Sequence, residues 1–301
     1  MNDKPILVTG ATGKTGSLVI EQLIERGHRV RAMVRSADVR AERLSALGAE
    51  TMVGDFLDLP SLHAAMRGVE RAYFCYPPAD RLVEATANIA IAARQAELKA
   101  LVNMSQLPAR EHARSKLSFQ HWQSEQILDW AHIGAAHIRP TFFAEDLYLF
   151  TGPTLMNDGK MLLPFGDARH APVTAEDIAR VVVGILEDPG PHVGQRHILT
   201  GPRNMTLEEM ARVISDVLGR PVEYVDIPMA AWHEAMVGNI GFPRFLADHL
   251  AAVAQDHQQG IFSAQTDIVE RIGGQAPQKL VDFVRAHRAE FIGEHPLSSA
   301  A

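Results

Sequence analysis

The sequence predicts an α/β protein built on a doubly wound parallel sheet, with a smaller, mostly helical region toward the C-terminal end. Three observations carry this expectation. Short apolar or alternating runs take turns with segments of helical period through the first half of the chain. That order gives parallel strands joined by right-handed crossovers. The first such run, Ile6-Leu7-Val8, turns through Gly10, Gly13 and Gly16 directly into a helical segment. The last third carries mainly helical periodicity, broken at glycines.

The elements follow in order. Residues 5–9 read as a strand buried on both faces, and 14–26 as the next helix, with Leu18, Val19, Ile20, Leu23 and Ile24 at helical spacing and Gly27-His28 as its stop. Arg29–Arg35 alternates, placing Val30, Ala32 and Val34 on one face. A helix at 38–47 precedes a short strand at Glu50–Gly54. Ser61 is expected to cap a helix running through Met66. Arg71–Tyr76 is a fourth strand stopped by Pro77-Pro78, residues 80–97 a helix, Ala100–Ser105 a fifth strand, 118–132 a helix, and His137–Pro140 a sixth strand. Residues 174–187 form a helix capped by Thr174, and Gln195–Thr200 a further strand. Thr206 opens a capping-box helix to Leu218, and Gly219–Asp226 reads as extended. Residues 230–292 read as mostly helical, with breaks near Gly241, Gly260 and Gly273-Gly274. The expected division is a dinucleotide-binding domain over 1–152, rejoined by 174–200, and a smaller substrate-binding region over 153–301.

A strand that bends through glycines into a helix N-terminus is an anion site. Glycine admits a close ligand because it has no Cβ, and the helix start offers free N–H groups and the positive end of its dipole. In a sheet of this kind ligands bind beyond the C-terminal ends of the strands, and a strand–GxxGxxG–helix unit points to a Rossmann-type dinucleotide site. Gly10, Thr12, Gly13, Lys14, Thr15 and Gly16 are therefore expected to hold a diphosphate. At the end of the second strand an acid would select NAD and an arginine NADP. Val34-Arg35-Ser36 presents Arg35, with no acid before Asp38, so the expected cofactor is NADP(H). Asp55 and Phe56 follow the third strand, where the adenine would lie; the Asp55 carboxylate has local capping as its alternative role. Cys75, Tyr76 and Pro77 at the fourth strand end, and Phe142 and Phe143 after the sixth, are expected to flank the nicotinamide. Core packing is the other reading for Tyr76.

The bulk numbers bound the function. The chain has 301 residues, enough for a real core, with 47% hydrophobic and 22% charged residues. Its net charge of −7 argues against a general nucleic-acid binder. No apolar run is long enough to span a bilayer, no secretory leader pattern stands at the start, and the single cysteine suits a reducing compartment. A cytoplasmic protein acting on a small molecule is expected, with neither nucleic acid nor membrane as partner, and a homodimer fits the sequence. Although the chain has 14 histidines, it contains no His-Glu-x-x-His motif and no cysteine cluster, so no metal is expected.

The motifs GATGKTG, Val34-Arg35, Gly54-Asp55, the helix carrying Asn88, the strand ending in Ser105, and Arg139-Pro140 with Phe143 together resemble the NmrA-like branch of atypical short-chain dehydrogenases/reductases. The resemblance extends through Thr206–Gly219, Gly260 and Gly273-Gly-Gln-Ala-Pro277. This branch holds quinone, azo-dye and triphenylmethane-dye reductases as well as NADP-sensing regulators with little enzyme activity. The resemblance implies an NADPH-dependent reductase of an electron-poor or carbonyl-containing molecule, with a non-catalytic NADP(H) sensor that binds a protein as the alternative. The superfamily's usual Tyr-x-x-x-Lys pair falls on Leu117 and His121, so the tyrosine-driven mechanism is not expected. His121 is the candidate proton donor or ribose contact, against a solvent-facing helix residue. Ser105 is the candidate partner for a substrate oxygen, against a strand-end cap. Phe142, Phe143, Tyr148 and Phe150 are candidates for an aromatic wall, with ordinary core as the alternative.

Overall fold

Ile6, Leu7 and Val8 are fully buried strand residues inside a seven-stranded sheet. A computed structural model describes residues 4–294. Strands and helices alternate strictly at first: β1 (Ile6–Val8), α1 (Lys14–Glu25), β2 (Val30–Val34), α2 (Val39–Ala46), β3 (Glu50–Val53), α3 (Leu59–Ala65), β4 (Arg71–Phe74), α4 (Leu82–Gln95), β5 (Ala100–Met104), α5 (Lys116–Trp130) and β6 (Ala135–Pro140). Then come α6 (Asp146–Leu149), α7 (Gly152–Asp158), β7 (Lys160–Leu163), β8 (Arg169–His170), α8 (Ala175–Glu187), β9 (Arg196–Leu199), β10 (Met205–Thr206), α9 (Leu207–Leu218) and β11 (Glu223–Asp226). Five helices finish the described chain: α10 (Met229–Gly238), α11 (Arg244–Gln258), α12 (Ile268–Gly273), α13 (Leu280–Ala286) and α14 (Arg288–Ile292).

The main sheet runs β3-β2-β1-β4-β5-β6-β9, and every pair in it is parallel. Strand order reverses between β1 and β4, the switch point where such sheets bind ligands. The two-residue side-chain period divides β1 between two cores. Ile6 and Val8 pack with α1 and α8, and Leu7 packs with α3 and α4 on the other face. Ile268 and Val269 of α12 join the α8 side. A third core, centred on Trp232, Phe283 and Phe291, fills the C-terminal region. Two small sheets sit in that region, β7 with β11 in parallel and β8 with β10 antiparallel, so the region is less purely helical than its periodicity suggested.

Helix starts follow their side chains. Thr174 caps α8, and Thr206 with Glu209 forms the full capping box of α9. Each such cap stabilises its helix by about 1 kcal/mol. Ser61 does not cap α3. Asp58 does, accepting from the Ser61 amide at 3.2 Å, while the Ser61 hydroxyl bonds the carbonyls of Asp58 and Asp55. Proline at the second helical position lets α3 begin earlier than Ser61 alone implied.

Candidate active site

The site grows from the strand–helix bend after β1. The Thr9 hydroxyl donates to the Tyr73 carbonyl and accepts from the Cys75 amide, both at 3.1 Å, which holds the ends of β1 and β4 together. Gly10 then takes φ +59°, and a Cβ there would stand 2.7 Å from the Cys75 carbonyl oxygen. Only glycine fits that approach. Gly13 occupies the N-cap of α1 with no side-chain cap, and the first turn carries no acid. The N–H groups that open α1 therefore lack a side-chain partner, and Lys14 adds positive charge beside them. A glycine cradle, helix N–H groups without a side-chain cap and a lysine form a donor set that fits a diphosphate.

Gly16 plays a different part from the one its spacing implied. It does not line the cavity. It lies beneath the loop, where a Cβ would come within 2.1 Å of the Gly10 carbonyl oxygen, so its lack of a side chain lets helix and loop pack together. Thr15 is also turned inward. Its hydroxyl pairs with the Tyr73 hydroxyl at 2.9 Å, which leaves the Thr15 main chain to face a ligand.

A continuous cavity of ≈ 630 Å³ runs from this loop across the sheet's C-terminal rim. Gly10, Thr12, Gly13, Lys14, Thr15, Arg35, Asp55, Phe56, Cys75, Tyr76, Pro77, Ser105, His121, Phe142 and Phe143 all line it. At one end stands Arg35, exposed and without a hydrogen bond or ion pair among the described residues. Asp38, the nearest acid after β2, is already engaged. It pairs with the Arg40 guanidinium at 2.9 Å and caps α2, and these bonds hold its carboxyl down at about 2. Asp55 follows its local alternative in part, accepting from the Leu57 amide at 2.8 Å in a tight turn. Phe56 sets its ring edge-on to Phe74 and Tyr76, at centroid distances of 5.6 and 5.2 Å. Tyr76 donates its hydroxyl proton to the Asp80 carbonyl at 2.7 Å.

At the other end the floor is a buried charge network. Ser105 donates to Glu125 at 2.6 Å, and Glu125 also receives two bonds from Arg139 and one from Arg196. Burial opposes the charge on Glu125, but these donors win and hold its pKa below the usual carboxylate value. The Ser105 proton is thereby committed to the floor, so Ser105 offers a ligand only oxygen lone pairs. That corrects its expected role as a donor to substrate. Leu117 and His121, one turn apart on α5, both face the cavity. Burial, with His249 nearby, pushes His121 down to about 3. Burial favours the neutral ring, which weighs against the titrating proton donor expected there. Its Nδ1 is buried without a hydrogen-bond partner.

The roof comes from the C-terminal region: Phe150, Phe165, Trp232, Phe242, Leu250 and Phe262. Phe142, Phe143 and Phe150 belong to the cavity wall, but Tyr148 does not. Tyr148 stacks near Phe283 and meets Phe291 edge-on in the C-terminal core. Sequence reasoning missed His249, His257 and Asp146. The first two come from α11, whose facing is set by distant contacts. Asp146 lies three residues beyond Phe143, and only that proximity signalled it. Among the described residues no group of three or more metal-ligating side chains gathers, and no helix is long and apolar enough to cross a membrane.

The NmrA-like family model matches residues 2–286. The chain belongs to the NmrA-like family. It is 30% identical over 290 residues to an NAD(P)H azoreductase of Xenophilus azovorans, covering 95% of this chain and 99% of that protein. Among solved structures it is similar to the NADPH-dependent quinone oxidoreductase of Escherichia coli complexed with NADPH, at 26% identity and a TM-score of 0.82. That match covers 93% of this chain and 99% of the other. The triphenylmethane reductase of Citrobacter sp. shares the fold at 23% identity and a TM-score of 0.83, covering 96% and 99% of the two chains.

Proposed function

We propose that this NmrA-like protein is an NADPH-dependent reductase that transfers a hydride to a small electron-poor or carbonyl-containing molecule: a quinone, an azo or other dye, an enone or a ketone. The observation that carries the reading is the single cavity that joins an unpaired arginine, an uncapped helix N-terminus and an aromatic chamber. Arg35 would meet the 2′-phosphate with a planar guanidinium. Gly10, Thr12, Gly13, Lys14 and the Thr15 main chain would take the diphosphate, and Gly16 would keep that loop in place. Asp55 and Phe56 would border the adenine, while Cys75, Tyr76, Pro77, Phe142 and Phe143 would border the nicotinamide. When bound, the reduced nicotinamide supplies two electrons as hydride. The chain's own part is to orient the two reactants and keep water out with its aromatic roof.

This chemistry runs without the tyrosine–lysine pair of related oxidoreductases, since Leu117 cannot ionise and His121 is held neutral. The azoreductase and quinone oxidoreductase relatives support a flat, electron-poor acceptor. The single cysteine supports a reducing, cytoplasmic setting. The test is the loss of reduced-nicotinamide absorbance with a panel of quinones, azo dyes and enones. Turnover with NADPH is expected. Tight NADPH binding with no turnover across the panel would replace the reading with a cofactor sensor that binds a protein partner.

A further inference from the structure

Reducing a quinone or an azo group takes one hydride and one proton, and the cavity's obvious proton donors are engaged. Ser105 donates to Glu125, and Tyr76 to the Asp80 carbonyl. Asp38 and Asp55 serve local turns. His121 and His249 are neutral rings. The Cys75 thiol, a weak acid, is pushed further up by burial. One carboxyl remains. Asp146 lines the cavity at the start of α6, half-buried, with the Phe143 backbone against its carboxyl and no hydrogen bond from another side chain. It follows Phe142 and Phe143, the aromatic rings that border the same chamber.

We propose that Asp146 is the proton donor of the reduction. This rests on the reductase reading above. As hydride from the reduced nicotinamide reaches one atom of the acceptor, the neighbouring nitrogen or oxygen gains a lone pair. That pair takes the carboxyl proton: the new N–H or O–H bond forms, the carboxyl O–H breaks, and its electrons stay on Asp146. An azo group becomes a hydrazine and a quinone a hydroquinone, each gaining one hydride and one proton. Once the product has left and the cavity is open to solvent, water restores the carboxyl proton.

The surroundings suit the task. Burial keeps the Asp146 proton on until about pH 7, and Glu145 beside it acts in the same direction. Lys14 of α1 opposes that shift and would stabilise the carboxylate once the proton has left. Tyr148, two positions on in α6, is turned into the C-terminal core, and its own ionisation is pushed far up, so it adds no competing charge. A pKa close to the working pH is what an efficient general acid needs.

The experiment uses the full chain with saturating NADPH and two acceptors. One is a neutral azo compound or quinone, whose reduction needs a proton. The other is a triarylmethane cation, which becomes neutral on accepting hydride and needs none. Asp146→Asn is expected to lower kcat with the first acceptor by about 10²-fold and with the cation far less. It should also abolish the fall in wild-type rate above about pH 7, with NADPH affinity by calorimetry little changed. Asp146→Glu should restore part of the rate. Carboxyl-carbon NMR of the wild type should show one aspartate titrating near neutrality that is missing from Asp146→Asn. Equal losses with both acceptors, an unaltered pH profile, or a loss confined to NADPH affinity would overturn the proposal alone. If the wild type turns over neither acceptor, the reductase reading falls and the proposal falls with it. Thermal unfolding of each variant identifies any that fails to fold, and Asp146→Glu then carries the test.

Discussion

Replacing Gly16 by alanine separates the grip on the cofactor from the stability of the fold. The added Cβ would stand 2.1 Å from the Gly10 carbonyl oxygen and 2.8 Å from its carbonyl carbon. Ordinary contact with that oxygen needs about 1.3 Å more. Both atoms are backbone, so no side chain can swing aside and the loop itself must lift. Two stability effects oppose each other. Overpacking costs about 1–3 kcal/mol, while alanine in place of glycine within a helix returns about 1 kcal/mol. The net loss is therefore at most about 2 kcal/mol, a few degrees in Tm for a chain of this size. The loss in binding should be larger than the loss in stability. Moving the loop by about 1 Å breaks at least one charge-assisted N–H bond to the diphosphate, worth about 1.5–3 kcal/mol, or roughly 10- to 100-fold in Kd. Calorimetric titration with NADPH, beside thermal unfolding of the same sample, measures both. Gly238→Ala is the control, because its Cβ would have nothing within 4 Å. It should leave NADPH affinity unchanged. A folded Gly16→Ala protein that binds NADPH as tightly as wild type would refute the steric argument.

Two further outcomes follow from other parts of the molecule. Arg35→Asp should weaken NADPH by about tenfold or more and leave NADH nearly unaffected; equal loss of both, read by fluorescence titration, would remove Arg35 from 2′-phosphate recognition. Acid stability should fail early. Burial depresses His170 to about 3 and His197 to about 4, and His257 lies well below its ordinary value. The unfolded chain protonates these rings below about pH 6.5, so it binds more protons than the folded state and stability falls as pH drops through that range. Asp146, raised to about 7, acts the other way by one proton and does not reverse the sign. Denaturant titrations from about pH 8 to 5 should show falling stability, and a flat profile would contradict the burial of these rings.

The sheet was legible because its signals are local. A run such as Ile6-Leu7-Val8 followed by spaced glycines carries strand, turn and helix start in one stretch, and Thr206 with Glu209 announces a helix by itself. The glycine-loop end of the cavity was legible for the same reason, since it sits at the strand ends where such loops fall. The chamber was less so. Tyr148 is adjacent to cavity residues in sequence, yet contacts with Phe283 and Phe291, far along the chain, turn it into the core. His257 meets His170 at 3.1 Å across 87 residues, which no local pattern records. Ser105 and His121 line the cavity, but their chemistry depends on the partners the fold brings, Glu125 for one and a desolvated pocket for the other. The two-residue strands β8 and β10 are too short to carry any period.

The glycine cradle and Arg35 are expected to hold NADPH, and every later step of the proposed reduction depends on it. Titration calorimetry of the purified 301-residue protein addresses this without assuming any acceptor. Binding of NADPH is predicted, with NADH markedly weaker. No heat of association with reduced or oxidised pyridine nucleotide would contradict it.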